Sequence, residues 1–193
     1  MISLAITGEP GVGKTTLLMR LLNIIRSEGI HVYGFFCPEV REEGKRIGFK
    51  IVDIATGAEG WLALIPEKAR SLGYNTSIYR KFVGRYIVIE DEAERIGVAA
   101  LSNAKDGFLA IDEIGPMELA VEKLRKAIIH TLISASNFIV VVHRNMKDSE
   151  ILKILREKNT RWIIITRENR DSVYHELASR VRNEILTLKQ LNT

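Results

Sequence analysis

Short apolar runs alternate along the chain with longer segments in which apolar residues recur every three to four positions. The runs at residues 3–7, 31–36, 86–89, 108–111, 138–142 and 162–165 predict buried strands. Between the first two, Leu17, Leu18, Leu21, Leu22, Ile24 and Ile25 mark one stripe of a helix over Lys14–Ser27, with Gly29 placed to end it. Leu124, Ile128, Leu132 and Ala135 predict a helix over 117–135, and Val173, Leu177, Val181, Ile185 and Leu188 a last one packed on the sheet. This order of elements specifies an α/β protein: a mainly parallel sheet flanked by helices.

One region breaks the alternation. In RIGFKI, Ile47, Phe49 and Ile51 recur at period two after the turn candidate EEGK, and an apolar run at 61–65 follows. The expectation is a small antiparallel hairpin inserted into the parallel fold, spanning 46–85 within a single domain. Its second part, 66–85, reads as an irregular loop. It carries Lys68, Arg70, Arg80, Lys81 and Arg85 against one acid, Glu67, with Tyr74, Tyr79 and Phe82 interleaved. A lid over a ligand and a solvated loop both fit that composition.

Composition narrows the class further. The chain has 193 residues, enough to bury a core without staples, and its 27% charged residues exclude wholesale disorder. The net charge of +4 suits anionic ligands but gives nucleic acid only weak support as a partner. Cys37 is the single cysteine, so no intramolecular disulfide can form, and a reducing compartment is expected. The apolar start is short and without a basic leader, and no run of about 18 apolar residues occurs. The expected address is therefore the cytoplasm, with no membrane contact; the oligomeric state is open.

The candidate chemistry begins at GEPGVGKTT. Gly8, Gly13, Lys14 and Thr15 satisfy G-x-x-x-x-G-K-[ST], with a strand before and a helix after, as a phosphate-binding loop requires. Glycines let backbone N–H groups face inward, and the helix start adds partial positive charge, so Gly8, Glu9, Pro10, Gly11, Val12, Gly13, Lys14, Thr15 and Thr16 form an anion cradle. Lys14 is expected on the β and γ phosphates, and Thr15 on Mg²⁺. FLAIDEIG delivers Asp112 and Glu113 to the rim of the same sheet, with Gly115 completing the turn. Asp112 is the second metal residue, and Glu113 is placed to deprotonate a water. Past two later strands lie His143, Arg144 and Asn145, then Arg167, Asn169 and Arg170. His143 is the candidate γ-phosphate sensor; Asn169 and Arg170 are candidates for contact with the nucleotide. A plain loop start is the alternative for each.

Several blocks in order, GEPGVGKTTL, CPEVREEGKRIGFKIVD, RYIVIEDEAERIGVAAL, AIDEIGPMEL and TRENRD, resemble the small P-loop nucleoside-triphosphatases first described from thermophiles, also called the cancer-related nucleoside-triphosphatase family. The resemblance covers nearly the whole chain. It implies a RecA-like fold and Mg²⁺-dependent hydrolysis of several nucleoside triphosphates to diphosphate and phosphate, with catalytic roles for Lys14 and Glu113. It also places Glu39 and Arg41 in a family signature; Arg41 either reaches the nucleotide or pairs with acids in the hairpin. Cys37-Pro38 departs from the polar pair that members usually carry. Two rival functions stand beside hydrolysis. One is a kinase acting on a nucleotide or a polynucleotide 5′ hydroxyl; the other is a nucleotide-dependent switch that recruits RNA or protein. Both lean on the basic, aromatic stretch 66–85.

Overall fold

Ten strands form one mixed sheet in the computed structural model, which describes residues 1–102 and 107–191. In chain order the elements are β1 (Ser3–Gly8), α1 (Lys14–Ser27), β2 (Val32–Phe36), β3 (Glu39–Glu42), β4 (Lys45–Asp53), β5 (Glu59–Leu64), α2 (Pro66–Ser71), β6 (Phe82–Val83), β7 (Tyr86–Val88) and α3 (Glu90–Ser102). They continue as β8 (Phe108–Ile114), α4 (Pro116–Ala120), α5 (Glu122–Ser134), β9 (Phe138–Val142), α6 (Ser149–Glu157), β10 (Arg161–Ile165) and α7 (Arg170–Leu191).

The strand order is β10-β1-β9-β8-β2-β4-β5-β7-β6, with β3 attached to β4. Neighbours from β10 to β2 are parallel, and those from β2 to β6 are antiparallel. Helices cover both faces, which the period-two geometry of the strands explains. In β9, Ile139 and Val141 pack with α1 and α7, while Phe138, Val140 and Val142 turn to α5 and α6 on the other side. Each fully buried Ile, Leu, Val or Phe contributes roughly 1.5–3 kcal/mol of transfer free energy, so neither face can be left bare. The chain order matters for function: β9 lies between β1 and β8, so three strand ends meet at one rim.

The first helix spans Lys14–Ser27 as its stripe predicts, and its six apolar residues are all buried. Elsewhere the structure corrects the reading. The expected helix over 117–135 is two, because Val121 turns extended (φ −88°, ψ 104°) between α4 and α5. The strand read at 86–89 belongs to the antiparallel half, since an apolar run does not encode pairing direction. The hairpin begins earlier than residue 46: Glu39–Glu42 pairs with β4, and β4 continues the main sheet through β2. The supposedly irregular 66–85 contains α2 and β6, elements too short to leave a periodic signal. The Leu188 side chain lies outside the described residues.

Candidate functional site

The loop between β1 and α1 is built from residues that leave hydrogen-bonding groups unused. Gly13 stands at the helix N-cap with φ +109°, a conformation that L side chains rarely adopt, and it offers no side chain to cap the first turn. No acid lies in that turn either. The leading N–H groups and the positive end of the helix are therefore available to an anion. Gly8 is fixed for another reason: a Cβ there would meet the Ile165 carbonyl oxygen at 2.4 Å, where β10 runs alongside β1. Val12, 3% exposed, anchors the loop in the core, while Glu9, Pro10, Gly11, Thr15 and Thr16 are exposed. The Lys14 ammonium folds over the cradle, donating to the Gly8 carbonyl at 3.0 Å and the Glu9 carbonyl at 3.1 Å.

Strand β8 brings the acids to the same place. The Thr15 hydroxyl is near enough to the Asp112 carboxylate to favour its charged form, and Lys14 does the same. Asp112 is 4% exposed, and burial pushes its carboxyl up to about 6, with the Glu113 charge adding to the rise against Thr15 and Lys14. Glu113 follows it, half-buried, after a cis peptide bond. Thr15 and Asp112 fit a hard divalent cation: both are oxygen donors, they lie close together, and a buried carboxylate beside a second one gains from positive charge. Among the described residues no cluster of three or more His, Cys, Asp and Glu could hold a metal by itself, which leaves the remaining ligands to phosphate oxygens and water.

The other candidates divide. His143 is brought to the acids: its N–H donates to the Ile114 carbonyl at 3.0 Å, and its Nδ1 accepts the Asn145 N–H at 3.2 Å. Arg144 forms an ion pair with Glu9 of the loop. Asn169 uses its side chain locally, accepting the Thr166 N–H at 2.8 Å and donating to the Ile164 carbonyl at 3.0 Å. Arg170 is exposed at the start of α7. Arg41 pairs with Glu39 and donates to the Gly44 carbonyl at 2.8 Å, so of its two readings the structure displays pairing within the hairpin. The tyrosines of 66–85 are also engaged: Tyr74 donates to Glu92, Tyr79 donates to Asp91 at 2.9 Å, and the two rings meet edge to face. They tie the segment to the start of α3 rather than standing free to stack a base.

Two features escaped the sequence reading. Glu118, 5% exposed, accepts the Gly115 N–H at 3.0 Å and thereby fixes the turn after Glu113. Burial pushes its carboxyl up to about 8, with the Glu113 charge adding to the rise. The signal was present as G-x-x-E, the spacing of a helix-start box. The second is Thr7, whose Oγ1 is buried beneath the loop without a hydrogen-bond partner. Folded proteins avoid such orphans unless water or a ligand completes the site, and no motif points to this one.

Known proteins resemble this chain over most of its length. A family model described as NTPase matches residues 3–178. Nucleoside-triphosphatase THEP1 of Saccharolobus solfataricus is 43% identical over 181 residues, covering 93% of each chain. Its counterpart from Ignicoccus hospitalis is 39% identical over 91% of this chain and 94% of its own. Two solved structures superpose with a TM-score of 0.73. THEP1 from the hyperthermophile Aquifex aeolicus has 28% identity and covers 92% of this chain and 98% of its own; a human cancer-related nucleoside triphosphatase has 29% identity, covering 95% and 98%.

Proposed function

Since the chain belongs to this nucleoside-triphosphatase family, we propose that it hydrolyses several nucleoside triphosphates, ATP and GTP among them, to diphosphate and phosphate, and that the reaction depends on Mg²⁺. The observation that carries the reading is the nearness of the Thr15 hydroxyl and Lys14 to the buried Asp112, which joins the loop and the acid pair into one site.

The loop N–H groups and the α1 start receive the phosphates, and Lys14 leaves the Gly8 and Glu9 carbonyls for the β and γ oxygens. Thr15 and Asp112 would hold Mg²⁺, and the ion would supply charge neutralisation for the phosphates. Glu113 orients the attacking water and takes its proton, while His143 reads the γ phosphate from the adjacent strand end. Most of the rate gain comes from position and electrostatics, because phosphoryl transfer to water asks for little covalent work from the protein. Asn169 acts through the shape of its turn, and Arg170, exposed at the start of α7, is free to contact the nucleotide. The chain works as one domain.

Transfer to an acceptor hydroxyl is less well supported, because the aromatic rings that would hold the acceptor are engaged with Glu92 and Asp91. The cytoplasm is the proposed address: no helix among the described residues is long and apolar enough to cross a membrane, and the lone Cys37 suits reducing surroundings.

The test is phosphate release from a panel of triphosphates, with Mg²⁺ and with chelator, for wild type and Lys14→Ala. Release from more than one triphosphate, lost with chelator and in the variant, is expected. Equal release by both proteins, or label passed mainly to added nucleosides or oligonucleotides, would overturn it.

A further inference from the structure

We propose that Arg144 is a further residue, beside His143, by which this site tells a triphosphate from a diphosphate, and that Glu9 holds it in reserve until a γ phosphate arrives; the idea rests on the phosphate-loop reading above.

Glu9 is an anomaly. A carboxylate on an anion-binding loop repels the ligand the loop exists to hold, and this one is 69% exposed. Its partner is the Arg144 guanidinium, so the negative charge is masked by a cation from another strand. Glu9 thus holds two cations at once, Lys14 through its main-chain carbonyl and Arg144 through its carboxylate.

Topology explains why Arg144 is the cation in question. Strand β9 lies between β1, which carries the loop, and β8, which carries the acids. Its end is registered against the end of β8 by the His143 N–H on the Ile114 carbonyl, 3.0 Å. The next residue, Arg144, follows directly and reaches the phosphate loop through its pair with Glu9. A γ phosphate attacked by a water on Glu113 extends from the loop toward the ends of β8 and β9, whereas the phosphates of a diphosphate stay on the loop N–H groups and Lys14.

Energetics favours an exchange. Arg144 is 46% exposed, and an ion pair so open to water contributes only about 0–1 kcal/mol, so leaving Glu9 costs little. The guanidinium fork matches phosphate oxygens in a bidentate way, which a triphosphate offers at this position and a diphosphate does not. Glu9 then competes with the γ phosphate for one arginine.

This competition makes the two partners' variants differ in sign. A purely structural ion pair, broken from either end, would have similar effects. Under the proposal, Arg144→Ala lowers affinity for the triphosphate, and Glu9→Gln raises it. The experiment is calorimetric titration, with Mg²⁺, of adenosine 5′-[β,γ-imido]triphosphate and of ADP into wild type, Arg144→Ala, Glu9→Gln and the double variant. Arg144→Ala should reduce the triphosphate-to-diphosphate affinity ratio about tenfold, the loss of one charge-assisted contact. Glu9→Gln should raise that ratio in the wild-type background by more than it does where Arg144 is absent. An unchanged ratio in Arg144→Ala, or weaker triphosphate binding in Glu9→Gln, overturns the proposal. Lys14→Ala separates the two readings: it should weaken both ligands whether or not Arg144 discriminates, and normal binding of both would bring down the phosphate-loop reading as well.

Discussion

The rim where β1, β9 and β8 end and the segment from α2 to β6 are both polar and partly exposed, yet they treat polar groups in opposite ways. In the segment, each tyrosine has a carboxylate partner, and Lys81 donates to the Ala120 carbonyl at 2.6 Å and pairs with Glu90 at 2.8 Å. At the rim, α1 begins with no acid in its first turn, where α2 has Glu67, the Thr7 hydroxyl is buried without a partner, and two acids stand side by side. Charge and aromatic content made the segment look functional in sequence. The better indicator is polarity left unsatisfied, because such groups cost free energy that a ligand or a bound water recovers.

The largest expected effect strikes at the rim. Glu113→Gln removes the proton acceptor but keeps shape and hydrogen-bonding reach, so turnover should drop on the order of 10²- to 10⁴-fold with KM little altered, as steady-state kinetics would show. Glu118→Gln comes next and sharpens the contrast through pH. Burial holds the Glu118 carboxyl near about 8 against an ordinary 4.5, so between those values the folded chain keeps a proton that the unfolded chain has released. Stability from this group is full below 4.5 and is lost as pH rises through about 8. The melting temperature of nucleotide-free protein in chelator should therefore fall over this window in wild type and fall less in Glu118→Gln. The smallest effect belongs to the segment: Tyr79→Phe removes the donor to Asp91, which should cost about 1 kcal/mol in denaturant titration and leave turnover unchanged. A loss of turnover approaching that of Glu113→Gln would erase the distinction between the two regions.

Legibility tracked the same physics. The α1 stripe and the strands at 3–7, 108–111 and 138–142 were readable because both faces of the central sheet are buried and the apolar pattern is unbroken. The loop and the acids at the end of β8 could be placed near one another because parallel strands deliver their C-terminal residues to a common rim. The hidden parts lacked a local signature. Val121 keeps the apolar spacing of a helix while its backbone leaves it, and β3 is a four-residue strand with charged ends. The Glu9–Arg144 pair joins residues 135 positions apart, and Asn169 is engaged by a turn whose partners are main-chain atoms. Such contacts depend on strand order, which the sequence does not spell out.

Cys37, at the end of β2, offers a built-in gauge of this rim. The residue is half-buried, its N–H donates to the Asp112 carbonyl at 2.6 Å, and burial pushes the thiol well above its ordinary range, with the charges of Glu118 and Asp112 adding to the rise. The reactive thiolate is therefore scarce while the turn is closed. Since no other cysteine competes for reagent, the rate at which a thiol-specific dye labels the native chain reports how often that corner loosens.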